Sequence, residues 1–207
     1  MKLVVCTGTG TEVGKTWVSA AVLVALRAGG VSVAARKPAQ SFVVGALTDA
    51  EVLAAATGEP TATVCPPGRW FELPMAPPMA AAKLGRPAFS IAGLVAELSW
   101  PEPPPDIGWI ESAGGVRSPL AEDGDTVELC KAVSPHAVVL VADAGLGVIN
   151  AARLAAGALQ PWSVLVMLNR FDEADELHRL NRAWLVEREG FDVVSDVDEL
   201  AARLAAD

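Results

Sequence analysis

The stretch Gly8-Thr9-Gly10-Thr11-Glu12-Val13-Gly14-Lys15-Thr16 decides the fold. It lies between a short apolar run, Leu3–Cys6, and a segment of helical spacing, Thr16–Arg27, which Gly29-Gly30 stops. Glycines let a backbone wrap with its N–H groups facing inward, and the helix that follows turns its positive dipole end toward any anion in the loop. Lys15 offers a point charge for the outer phosphates, and Thr16 a hydroxyl for magnesium. The strict pattern puts four residues between the two glycines; here five separate Gly8 from Gly14. Strand, glycines, lysine, threonine and helix still fall in the order a phosphate-binding loop requires.

Outward from this loop, short apolar runs alternate with helical patterns. Val31–Ala35, Ile107–Ile110, Val138–Ala142 and Val164–Leu168 read as strands, and Phe191–Val194 as a last short run. Asp49–Ala56, Met79–Leu84, Ile91–Leu98, Asp125–Val133, Ile149–Leu159, Glu173–Glu189 and Glu199–Ala206 read as helices. Pro60–Pro78 is proline-rich and irregular, and Pro101–Pro105 is a stiff connection with few donors. Continuous apolar strands separated by helices predict an α/β domain with a mostly parallel, buried sheet and helices on both faces. No repeat or long linker divides residues 1–207, so one domain is expected.

Composition narrows the function. About half the residues are hydrophobic, 20% are charged, and the formal net charge is −9. Such a chain repels nucleic acid and anionic membrane, so neither is an expected partner, and an anionic ligand needs a local site. Cys6, Cys65 and Cys130 are odd in number and lack a CxxC spacing, which predicts reduced thiols rather than zinc or disulfides. No signal-peptide pattern or long apolar span is visible, and the cytoplasm is the expected location.

Other candidates cluster at strand ends, where open parallel sheets border their ligand crevice. Arg36-Lys37-Pro38 would set Lys37 beside the loop. Glu111-Ser112-Ala113-Gly114-Gly115 pairs a possible magnesium acid with a glycine turn that lets backbone approach a phosphate. Asp49 is either a helix N-cap or a second magnesium acid. Asp143–Asn150 is either a plain strand-to-helix turn or an anion-binding helix start. Asn169 could read a base or be an ordinary turn residue. His136 and His178 have no metal spacing, and Trp70, Trp100 and Trp162 read as packing residues.

Together these segments resemble dethiobiotin synthetase. The resemblance rests on Thr7–Thr16, Lys37-Pro38, Thr48-Asp49-Ala50, Leu84-Gly85-Arg86-Pro87, Glu111–Gly115 and Gly145–Asn150, and is weak over the last forty residues or so. It implies a P-loop NTPase three-layer sandwich and an ATP-dependent ligase. In the implied reaction, 7,8-diaminononanoate and CO2 form a carbamate, the carbamate takes the γ-phosphoryl of ATP, and the second amine closes a ureido ring. It further implies these roles: Lys15, Lys37 and Thr11 catalytic; Glu12, Val13, Gly14, Lys15, Thr16, Asp49, Glu111, Ala113, Gly114 and Asn169 at the nucleotide; Thr16, Asp49 and Glu111 around Mg2+. Thr11, Lys37, Ser41, Val148 and Asn150 would meet the substrate, the last two across a homodimer interface.

The chain departs from the family pattern at four places. Ser112 replaces a glycine and would add a side chain near the phosphates; Pro77-Pro78 replaces Pro-His; Phe42-Val43-Val44 lies in a short apolar stretch where a longer polar loop is usual; and no Pro-Trp-Leu occurs near the C-terminus, where Val193–Val197 would stand in its place. Two other readings compete. A partitioning-type ATPase would need a signature lysine where Gly10 stands, and a related amidoligase would need a further domain. A nucleotide-binding relative that has lost catalysis would act as a regulator.

Overall fold

The computed structural model describes Met1–Ala206. In chain order the elements are β1 (Lys2–Gly8), α1 (Lys15–Ala28), β2 (Val33–Arg36), β3 (Gln40–Ser41), α2 (Asp49–Thr57), α3 (Thr61–Val64), β4 (Trp70–Phe71), α4 (Pro77–Lys83), α5 (Ile91–Ala96), β5 (Ile107–Glu111), α6 (Thr126–Val133), β6 (Ala137–Asp143), α7 (Val148–Ala158), β7 (Val164–Asn169), α8 (Glu176–Glu187), β8 (Asp192–Val194) and α9 (Val197–Ala206). Six strands form one sheet in the order β2-β5-β1-β6-β7-β8, and every pairing in it is parallel. The α/β sandwich read from the sequence is therefore the fold.

Because side chains alternate along a strand, β1 feeds two cores. Val5 joins Ile110, Leu140, Leu168, Leu94 and Leu129 on one face, under α5 to α8. Val4 and Cys6 join Trp109, Val139, Leu23, Leu53 and Leu200 on the other, under α1, α2 and α9. The five residues of β5 are all buried, which explains why it reads as an unbroken apolar run. Chain direction across the sheet reverses at β1, between β5 and β6, and the phosphate-binding loop leaves β1 at that switch point.

The sheet's β2 edge is closed by side chain and loop. The outward Ala35 N–H donates to Glu59 Oε2 at 2.8 Å, and the Lys37 N–H to Val64 O at 2.7 Å. Arg36 extends this strand beyond the predicted Ala35 because its guanidinium finds Glu59 at 2.8 Å and the Trp100 ring at 4.8 Å.

Several boundaries differ from the sequence reading for local reasons. The stretch 60–78 is less irregular than its prolines suggest: it holds α3, β4 and the start of α4. Gln40↔Trp70 and Ser41↔Phe71 pair in a two-stranded parallel ribbon, too short to carry a periodic signal. Helix α4 starts at Pro77 rather than Met79, since proline suits the first helical turn. Asp175 accepts from the Leu177 and His178 amides and so starts α8 at Glu176, later than Glu173. Among the described residues no helix is long and apolar enough to cross a membrane.

Candidate active site

Gly14 ends the loop as the N-cap of α1, with φ of 90° and ψ of 27°, a left-handed conformation that favours glycine. Glu12 takes the same region at φ 60° without being glycine, and the chain holds it there from β7. Arg170 Nη2 donates to Glu12 O at 3.0 Å, and Asn169 Nδ2 to Val13 O at 2.9 Å. Arg170 is itself anchored on Asp143 at 2.6 Å. Two consecutive loop carbonyls are thus tied to the end of β7, two strands along the sheet from β1. Lys15 folds back to donate to Gly10 O at 2.9 Å.

Lys37 lies across from the loop, its side chain 1% exposed. Its three ammonium protons match three acceptors: Asp49 Oδ2 at 2.7 Å, Glu111 Oε1 at 2.7 Å and Ser112 O at 3.0 Å. Burial works against its charge, but Asp49 and Glu111 outweigh burial and raise its pKa above the ordinary lysine value. The same contact holds Asp49 below the ordinary carboxylate value, chiefly through the charge of Lys37.

Asp49 resolves one of the alternatives left open by the sequence. Thr48, not Asp49, caps α2: its hydroxyl accepts from the Glu51 amide while Glu51 returns a bond to the Thr48 amide. Asp49 sits in the first turn with its carboxylate free to reach Lys37 and Thr16.

Thr16 Oγ1 is 2.9 Å from Asp49 Oδ1 and 2.9 Å from Glu111 Oε1. A hydroxyl has one proton and cannot satisfy both carboxylates fully. Glu111 Oε2 is buried without a hydrogen-bond partner. Three converging oxygens and an orphaned carboxylate oxygen are a donor set suited to a hard dication such as Mg2+. The residues present therefore fit the magnesium site that the resemblance implies.

Thr16, Lys37 and Asp49 open on a cavity of about 850 Å3, with Glu111 fully buried behind them and outside its lining. Thr11, Glu12, Gly14, Lys15, Thr16, Lys37, Ser41, Asp49, Ala113 and Gly114 line it, so the structure gathers most of the residues singled out above. Ser41 reaches it through the β3–β4 ribbon, and its buried hydroxyl has no partner. Val13 and Asn169 stand behind the loop, and Asn169 Oδ1 is the amide atom not engaged with Val13. Val148 is 4% exposed in the core and Asn150 points to solvent; neither lines the cavity of its own chain. The glycine-rich turn before α7 is built as a turn, with Gly145 N–H donating to Asp143 Oδ1 at 3.0 Å and Asn181 Nδ2 donating to Ala144 O and Gly145 O, each at 3.0 Å.

Ser112 requires a correction. Its side chain does not approach the phosphate cavity; it is buried and donates to Thr7 Oγ1 at 3.0 Å beneath the loop. Ser112→Gly is therefore expected to leave nucleotide affinity unchanged and to lower stability by about 1 kcal/mol, the worth of one buried hydrogen bond. Urea unfolding and ATP titration check the two halves. Val193 and Val194 likewise pack in β8 at 4% and 0% exposure, so of the stretch Val193–Val197 only Ser195, Asp196 and Val197 keep accessible surface.

Sequence reasoning missed four lining features. Arg170 carries no motif of its own, and its role appears only through the carbonyl it holds. Pro74, Met75, Ala76 and Pro77 form an apolar wall, and Ser118 and Pro119 a second side. Trp17 also lines the cavity, and its position directly after Thr16 was the available signal.

Burial, and then the nearby charge of Lys37, lower the Lys15 pKa. A phosphate-binding ammonium with a lowered pKa loses its proton before an ordinary lysine does. Affinity for ATP is expected to fall as pH rises, beginning below the ordinary lysine value of about 10.4. Calorimetric titration across the alkaline range would reveal it, and affinity independent of pH there would remove Lys15 from the phosphate contacts.

A Gly-Lys-Thr loop at the switch point of a parallel sheet, facing a buried lysine and two carboxylates, defines a P-loop nucleotide-binding protein. A family model described as an AAA domain matches residues 2–201. The chain belongs to the dethiobiotin synthetase family, as its relatives demonstrate. The ATP-dependent dethiobiotin synthetase of Rhodococcus jostii strain RHA1 is 36% identical over 215 residues, spanning 100% of this chain and 90% of that protein. That of Anaeromyxobacter dehalogenans strain 2CP-C is 35% identical over 210 residues, spanning 97% and 92%. That of Ralstonia nicotianae is 39% identical over 161 residues, spanning 74% and 68%. Among solved structures, the cell division protein FtsY of Thermotoga maritima aligns with a TM-score of 0.51 at 14% identity, covering 100% of this chain and 69% of that one. The signal recognition particle receptor FtsY of Elizabethkingia anophelis gives 0.53 at 14%, covering 98% and 65%. At these identities the two structures speak for the fold alone.

Proposed function

We infer that this protein is an ATP-dependent dethiobiotin synthetase, closing the ureido ring of dethiobiotin from 7,8-diaminononanoate, CO2 and ATP. The observation that carries the reading is Lys37, fixed between Asp49 and Glu111 and facing Lys15 and Thr16 across one cavity. The diamine nitrogen adds to CO2 and loses a proton, giving a carbamate. The carbamate oxygen attacks the γ-phosphorus of ATP, and ADP leaves. The second amine attacks the carbamoyl carbon and expels phosphate, which closes the ring. The carbamate is its own nucleophile, so the protein's task is to position charges and offset them.

In this reading Lys15 and the amides from Glu12 to Thr16 hold the phosphates. Lys37 holds the carbamate and the transferring phosphoryl, with Thr11 and Ser41 on the diamine side. Ala113 and Gly114 bring backbone close to the outer phosphate, and Asn169 Oδ1 faces the base. Thr16, Asp49 and Glu111 would hold Mg2+, which neutralises charge on the β- and γ-phosphates when bound. The wall from Pro74 to Pro77 suits the hydrocarbon chain between diamine and carboxylate, since Pro77 and Pro78 offer no N–H at the start of α4. The turn from Gly147 to Asn150, with Val148 and Asn150, would receive the substrate carboxylate of a second copy in a homodimer; Leu146 beside it is 91% exposed. Three buried free thiols agree with a cytoplasmic location.

Phosphate release tests the reading. Mg-ATP with bicarbonate and 7,8-diaminononanoate should yield one phosphate per dethiobiotin formed, with none released when the diamine is left out. A protein that binds ATP yet releases nothing on adding the diamine would be the regulator-type relative instead.

A further inference from the structure

We propose that Trp17 is the stacking platform for the nucleoside of the bound triphosphate, so that this site grips the base chiefly by its face. The inference rests on the nucleotide-binding reading above and deepens it.

Trp17 is 60% exposed, in the first turn of α1, one residue after the Thr16 hydroxyl. It is the one aromatic side chain among the residues lining the cavity. The other tryptophans are engaged: Trp109 is 0% exposed, Arg36 lies over Trp100, and the Trp70 and Trp184 indole N–H groups donate to Cys65 O and Glu189 Oε1. Trp162 packs against the core. Among the described residues no ring or guanidinium stacks on Trp17. A large apolar ring held at the mouth of a phosphate site has its face free for a flat ligand.

The other groups named for the base offer it little that is selective. Asn169 uses one of its two amide protons on Val13 O, and its free oxygen can accept from the amino group of either adenine or cytosine, so this one side chain does not choose between them. Val193 and Val194 are buried in β8. With the phosphates on Lys15 and the amides around it, the nucleoside lies next along the mouth, beside Trp17, Glu12 and Arg170. Stacking tolerates any base, because each has a π-face.

Calorimetry on the full chain with Mg-ATP, Mg-CTP and Mg-tripolyphosphate tests this. Trp17→Ala should weaken ATP and CTP by similar factors, roughly tenfold or more. Tripolyphosphate, which has no base, should stay within about twofold, and Trp17→Phe should keep most of the affinity for ATP. Tryptophan fluorescence of the unsubstituted protein should quench on ATP, and the Trp17→Phe variant should lose that signal. Unchanged ATP binding in Trp17→Ala overturns the proposal, as does a tripolyphosphate loss equal to the ATP loss, which would make Trp17 a support of the loop. Failure of the unsubstituted protein to bind ATP overturns the function on which it rests as well.

Discussion

Lys37→Ala is expected to reduce turnover at least about a thousandfold while ATP still binds, because the charges met by phosphate in the ground state remain on Lys15 and the loop amides. Losing a pre-placed group that meets charge developing in a transition state costs on the order of a hundred- to a thousandfold in kcat. Here the same nitrogen is proposed to hold carbamate and phosphoryl together, so the upper end applies. A second effect follows from the surroundings. Without the lysine, Glu111 at 0% exposure loses the one cation in ion-pair contact with it among the described residues. Breaking a buried pair costs about 3–5 kcal/mol. For a chain of this size each kcal/mol lowers Tm by about 2–4 °C, so a drop of about 10 °C is expected. Asp49 also loses the charge that depresses its pKa. Its folded-state value lies below the unfolded value of about 3.9, so its contribution to stability is present above that pH and is lost as pH falls through the folded value. In the variant this acid-side loss shrinks. Phosphate release, ATP titration and melting at neutral and acid pH check the three effects. Turnover within tenfold of the parent would remove Lys37 from the chemistry.

The other large effect belongs to Gly14. A Cβ at this position would lie 2.1 Å from Asn169 Nδ2, on backbone at φ 90°. A left-handed conformation costs a side chain roughly 1–2 kcal/mol, and displacing Asn169 from Val13 O forfeits roughly 1 kcal/mol more. Both costs fall on the loop that must cradle phosphate. Gly14→Ala should therefore weaken ATP about a hundredfold. Pairing it with Asn169→Ala removes the clash but keeps the backbone penalty, so partial recovery is expected. If Gly14→Ala binds ATP like the parent, the loop does not hold phosphate in the way described.

Much of this was legible before any coordinates. The apolar runs of β1, β5, β6 and β7 announce a buried parallel sheet because both faces of each strand are covered. The loop announces the phosphate site because glycine, lysine and threonine have few other reasons to meet between a strand and a helix. Lys37 and Glu111 were found because parallel strands deliver their last residues to one rim. What stayed hidden depends on distant partners. Only the resemblance places Ser41 at the substrate; nothing local says that it reaches the cavity, since its neighbour Phe71 lies in another segment. Ser112 looked like an intrusion on the phosphates until Thr7 was seen to take its hydroxyl. Trp17 went unremarked because an aromatic in a helix pattern reads as core, and here α1 turns that residue away from its packed face.

The carboxylate of Glu59 and the carbonyl of Val64 have a bearing on assembly. By taking the outward amides at Ala35 and Lys37, they leave the β2 margin with few open donors at which an incoming strand could zip on. Continuing the sheet from one copy into the next is blocked at that margin, a safeguard against fibrous self-association. Pairing of two copies at this margin is thereby pushed away from strand addition.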